Sequence, residues 1–149
     1  MSYLTLAMND HNVHWHGNGK NTARIRLNPE TEWELQFDVG AAKANFDLSP
    51  YKVRKVEFNG GASSVELKLG DRSELTDVDI ETGVSSIRIL VPSTVDCEVR
   101  TDASLTSKEF EGLSKIGPGV WRSQEYGSKS GKLTINIDAG VSSIHISQY

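Results

Sequence analysis

At 149 residues the chain has the length of one domain, enough to bury roughly two thirds of the surface its unfolded form would expose. A formal charge of -4, a pI near 5.5 and scattered basic residues, such as Lys52, Arg54, Lys55 and Lys68, that form no polybasic run exclude a general attraction to nucleic-acid phosphates. A lone cysteine, Cys97, excludes an internal disulfide, and no apolar run approaches the ~18 residues of a membrane helix.

The opening, MSYLTLAMNDHNVHWHG, lacks the basic region and apolar core of a secretion signal, so the chain as given is expected to be soluble, with any anchor lying outside it. Leu4, Leu6 and Met8 alternate, a glycine turn follows at Gly17-Asn18-Gly19, and alternation resumes at Ala23, Ile25 and Leu27. This spacing predicts two strands joined by a turn. Asn28-Pro29-Glu30 then punctuates the chain, because proline presets a turn and lacks a ladder donor.

From Trp33 one block recurs in a single register: WELQFDVGAAKANFDLS, RKVEFNGGASSVELKLG, TDVDIETGVSSIRILVP and LTINIDAGVSSIHISQY. Its glycines are Gly40, Gly61, Gly83 and Gly140. Five before each glycine stand Leu35, Val56, Val78 and Ile135, and three before it Phe37, Phe58, Ile80 and Ile137. Four after it come Ala44, Val65, Ile87 and Ile144, and six after it Phe46, Leu67, Ile89 and Ile146. A recurrence of roughly 21 residues is the mark of stacked coils, each unable to bury its apolar face without a neighbour.

The phase of the block has a physical consequence. Positions three before and four after the glycine are an odd seven apart, which on a straight strand would place them on opposite faces. The chain must corner there, and glycine, through positive φ or close backbone approach, followed by small Ala and Ser residues, fits such a bend. Strand, corner, strand and loop describe an all-β, single-domain β-solenoid; a hairpin sandwich is the alternative. Cys97 alternates with Val95 and Val99, which predicts a packed rather than a reactive thiol.

Residues 103–131 interrupt the repeat with Gly112, Gly117-Pro118-Gly119 and Gly127-Ser128-Lys129-Ser130-Gly131, yet also contain Phe110, Trp121 and Tyr126. This composition predicts an irregular excursion whose rings dock on the strands, and makes those aromatics the candidate interaction residues. The expected organisation of 1–149 is therefore N-terminal strands or cap (1–30), repeated coils (33–99), excursion (103–131) and a closing coil (132–149).

Candidate chemistry is sparse. His11, His14 and His16 lie beside Asp10 in an H-x-x-H-x-H cluster that can point imidazoles at one ion, but a polar, solvated edge is the preferred reading and no metal or cofactor is expected. His145 stands at an outward position with no partner legible in the sequence. Ser85-Ser86 and its copies lack the second glycine of a nucleophile elbow and read as stacked corner residues. Asp38, Asp47, Asp71, Asp77, Asp79, Glu81, Asp96 and Asp138 alternate with Thr76, Lys68 and Arg88 as solvated strand faces do, so no catalytic residues are assigned.

The segments ETGVSSIRILVPSTVDCEVRTDASLTSKEFEG and SKSGKLTINIDAGVSSIHI, with Pro92 after the third strand and a closing apolar strand, resemble the C-terminal domain of LiaF-like cell-envelope stress proteins and the related toast-rack domains. WELQFDVGAAKANFDLS and VEFNGGASSVELKLG look like the repeats preceding it, so the resemblance runs from about Trp33 to Ile146. It implies a right-handed solenoid without catalytic residues, following membrane helices in a longer protein and linked to the response to cell-wall-active antibiotics. The expected function is a non-enzymatic, envelope-associated interaction or regulatory module with a protein partner such as a membrane sensor, and with self-association through solenoid edges open to it. An adhesin-like or carbohydrate-binding module is the alternative, and a small polysaccharide-active enzyme comes third.

Overall fold

The computed structural model describes residues 2–8 and 25–149. Among them the chain is all-β, without a helix: β1 (Ser2–Met8), β2 (Glu32–Asp47), β3 (Lys52–Lys68), β4 (Leu75–Val91), β5 (Asp96–Phe110), β6 (Leu113–Gly117), β7 (Val120–Ser123) and β8 (Lys132–Gln148). They form one sheet in the order β1-β2-β3-β4-β8-β5-β7-β6, parallel from β1 through β5 and antiparallel only where β7 meets β5 and β6.

Each of β2, β3, β4 and β8 is one coil bent at its block glycine. In β4 the buried side alternates through Thr76, Val78, Ile80 and Thr82, then two consecutive residues, Gly83 and Val84, face outward before Ile87, Ile89 and Val91 turn in. That double outward step resolves the odd phase of the repeat, because both arms of a coil now face the same interior. Phe37 and Phe46, from opposite arms of β2, stack at 4.2 Å between ring centroids. Between the arms lies a core of aliphatic columns: Val56, Val78 and Ile135 on one arm and Leu67, Ile89 and Ile146 on the other are at most 2% exposed.

The block glycines stack as expected, and for one of the two reasons offered. A Cβ on Gly61 would meet the carbonyl oxygen of Gly40 at 3.1 Å, one on Gly83 that of Gly61 at 3.0 Å, and one on Gly140 that of Gly83 at 2.7 Å. Close approach of successive coils therefore favours glycine, most strongly at Gly140. Positive φ is not the reason: it occurs at Gly112, Gly119, Gly127 and Glu125, all in the non-repeating part.

Two boundaries differ from the sequence reading. Residues 103–110, expected in the excursion, continue β5 as a fifth parallel coil in register with β8, and the irregular part begins only after Phe110. The coil expected to close the stack, β8, instead lies between β4 and β5, with Asp79 beside Asn136 and Asn136 beside Arg100. Its apolar columns complete both neighbours, whereas β5 carries Lys108 at the register of Ile144 and is suited to an end. Of the strand expected over Ala23, Ile25 and Leu27, the described residues 25–28 are irregular, and Ala23 lies outside the described residues.

Candidate functional site

The outward face of the first arms forms two rows across the stack. One reads Gln36, Glu57, Asp79, Asn136 and Arg100; the next reads Asp38, Asn59, Glu81, Asp138 and Asp102. Adjacent strands lie only about 4.8 Å apart, so a continuous column of carboxylates would repel itself. Amides relieve it. Asn59 Nδ2 donates to Asp38 Oδ1 at 3.0 Å, and Asn136 Nδ2 to Asp79 Oδ1 at 2.9 Å.

A lip overhangs these rows. β6 and β7 form a hairpin whose turn, Pro118-Gly119, sits over β5, with the Thr101 N–H donating to Gly119 O at 2.8 Å. Gly119 has φ 68°, and a Cβ there would lie 2.6 Å from the Thr101 carbonyl oxygen, so this docking also requires glycine. Lip and rows enclose an open groove of about 560 Å³ lined by Glu57, Asp79, Glu81, Asp102 and Asp138 with Arg100 at one end. Such a surface can hold donor-rich or cationic groups. Glu81, Asp102 and Asp138 are exposed, unlike the buried carboxyl that acid catalysis at neutral pH calls for.

The lip is secured by charge. Glu98, nearly sealed at 3% side-chain exposure, accepts from Arg122 Nε at 2.7 Å and from Arg100 Nη2 at 2.6 Å. Burial alone would raise its pKa, but the hydrogen bonds and charges of Arg122 and Arg100 outweigh that and hold the carboxyl below its ordinary range. Asp96, also buried, anchors the following loop by accepting from the Gly127 N–H at 2.9 Å and the Lys129 N–H at 3.3 Å.

A family model described as the N-terminal domain of toast_rack, DUF2154, matches residues 2–90, more than half of the chain. The chain belongs to the toast-rack family. Its fold is similar to that of a solved candidate cell adhesion protein from Clostridium sporogenes, with a TM-score of 0.79 and 21% identity over 89% of this chain and 68% of that one. At that identity the likeness speaks to fold. No curated protein matches the sequence.

In this toast-rack chain the expected interaction residues separate. Phe110 and Trp121 meet edge to face at 4.6 Å and pack against the core, while Lys108 and Lys115 place their ammonium groups 5.4 and 5.6 Å from the Trp121 ring. Tyr126 lies apart, with Arg122 4.5 Å from its ring. Cys97 is fully buried, and burial pushes its thiol up to about 12. The serines stack across the coils in matching register, Ser63 beside Ser85 and Ser85 beside Ser142. His11, His14 and His16 lie outside the described residues. No helix among the described residues is long and apolar enough to cross a membrane.

Sequence reasoning missed three things here. The outward acids were legible singly, but their alignment into rows depends on coil register and on β8 entering the stack beside β4. Ile116, 52% exposed on the hairpin, carries no periodic signal. His145, unpartnered in the sequence, lies 3.1 Å from Glu109, because β5 is a coil and pairs the two positions.

Proposed function

We propose that this toast-rack chain is a non-enzymatic, envelope-associated interaction module, the soluble part of a membrane-anchored envelope-stress protein of LiaF-like character, which binds a protein partner such as a membrane sensor. The observation that carries this reading is the pairing of a stiff repeated stack with one non-repeating lip beside an acidic outer face. Repeated coils supply rigidity, and the exposed side of the hairpin, with Ile116 and Pro118, supplies individuality. Phe110 and Trp121 support that hairpin from beneath, and Tyr126 flanks it.

The test is cross-linking and pull-down from a membrane fraction with the full chain as bait, comparing Ile116→Lys with the unaltered protein. Loss of a specific partner at unchanged unfolding midpoint is expected. A second reading, an adhesin-like or carbohydrate-binding surface module, draws on the solved neighbour described as a candidate cell adhesion protein. Glycan-array binding without a protein partner would favour it, and steady turnover of a polysaccharide would overturn the non-enzymatic reading.

A further inference from the structure

On the opposite outer face, away from the acidic groove, three metal-ligating side chains converge. His145 of β8 and Glu109 of β5 are cross-strand partners, and Glu109 Oε2 lies 3.1 Å from His145 Nδ1. Glu111, two residues on and on the same side, brings Oε1 to 4.0 Å from His145 Nε2. Its position is fixed by its own N–H, which donates to Ile146 O at 2.8 Å, and by Gly112 immediately after it. Gly112 has φ 79°, and a Cβ there would collide with the Gln148 side chain. One ligand atom from each of the three falls in a set whose members lie within 4.8 Å of one another. Among the described residues, the His145 ring is the nitrogen-bearing basic side chain within 4.0 Å of either carboxylate.

We propose that Glu109, Glu111 and His145 form a surface site for a divalent transition-metal ion that accepts imidazole, Zn²⁺ being the type case. One imidazole with two carboxylates suits such ions, whereas Mg²⁺ and Ca²⁺ prefer all-oxygen cages. Three protein ligands leave a position for water or for a group from a partner. The two carboxylates bracket opposite ring nitrogens, so one of them must swing to share an ion bound at the other. At 71% and 62% side-chain exposure, Glu109 and Glu111 are free to do so. Arg88 flanks His145 in register on β4 and opposes a cation; the paired carboxylates offset it from the other side.

The test titrates Zn²⁺ alone into the full chain carrying His11→Ala, His14→Ala and His16→Ala, which removes the other histidines. Calorimetry at about pH 7.5 should show one equivalent bound with a saturable isotherm. His145→Ala or Glu109→Gln should each lower affinity by at least the roughly 10- to 100-fold that losing even a supporting group costs a metal site. All three side chains lie on the outer surface, and an unchanged β-type circular dichroism spectrum verifies folding of each variant. Zn²⁺ binding that survives His145→Ala, or no saturable binding in the histidine-depleted chain up to millimolar Zn²⁺, overturns the proposal.

Discussion

The stack of β2, β3, β4 and β8 and its end at β5, β6 and β7 solve one problem by different means. Inside the stack β3, β4 and β8 each have a full coil on both sides, so aliphatic columns and glycine-to-carbonyl contacts suffice, and one sequence block can be reused. At the end the next coil is missing. There β5 places Thr101 and Lys108 at registers that hold Ile137 and Ile144 in β8, and the apolar interior is closed by Phe110 and Trp121 instead. A charge at an inward-register position of an edge strand also discourages another sheet from adding itself. The end is held by specific polar anchors, Glu98 between two arginines and Asp96 on loop amides, where the stack relies on repetition.

Breaking the stack should cost most. Ile89 is fully buried between coils, and Ile89→Ala is expected to lower stability by about 2–5 kcal/mol in denaturant unfolding, as cavity formation does elsewhere. An unchanged midpoint would remove Ile89 from the core. Gly140→Ala pushes a methyl toward the Gly83 carbonyl, where 2.7 Å is available, and should cost about 1–3 kcal/mol through overpacking. If the same substitution were neutral, the stacked glycines would be ordinary turn residues.

Trp121→Ala tests the end. The ring is only half buried, so the expected loss is smaller, about 1–2 kcal/mol, and confined to one region. Hydrogen exchange should quicken across β6, β7 and the outer part of β5 while β3 and β4 stay protected. Uniform acceleration would mean that stack and end unfold as one unit.

How much of this was legible in the sequence follows from the same contrast. The columns through Val56, Val78 and Ile135, the corners and the packed Cys97 could be read because each repeats or alternates. β5 could not. Its position matching Gly140 is Ser104 and its inward register includes Lys108, so neither the glycine spacing nor the apolar period marks it as a coil. Stack order was hidden as well, because β8 enters between β4 and β5, and nothing local to either strand records which neighbour it takes. The two sites suffered accordingly. The acidic rows and the Glu109–His145 pair exist only across coils, through registers that chain order does not display.

Acid should act on the end before the stack. The carboxyl of Glu98 titrates below the 4.5 of an unperturbed glutamate in the folded protein, so protons bind more readily to the unfolded chain. Its stabilising contribution is therefore complete above about pH 4.5 and is lost as pH falls through the depressed folded value. Glu98→Gln should be less stable than the unaltered protein at neutral pH and should show a flatter decline below that point. Parallel pH profiles for the two proteins would show that Glu98 is not the group linking acid to the lip.

The smallest expected effect gives the sharpest view of the division. Cys97 lies in the first arm of β5, against β8, and its N–H donates to Ser123 Oγ of β7 at 3.0 Å, so the residue sits at the seam between stack and end. With the thiol sealed and pushed up to about 12, the native protein should resist alkylation at neutral pH, because almost no thiolate forms and no reagent reaches it. Labelling must then wait for an opening. If the polar anchors of the end yield before the aliphatic columns, Cys97 will label in sub-denaturing urea with a midpoint below that of the far-ultraviolet β signal, and Glu98→Gln will widen the gap. Coincident midpoints in both proteins would instead make the end part of the same cooperative unit as the coils, and the difference between the two regions would be one of composition alone.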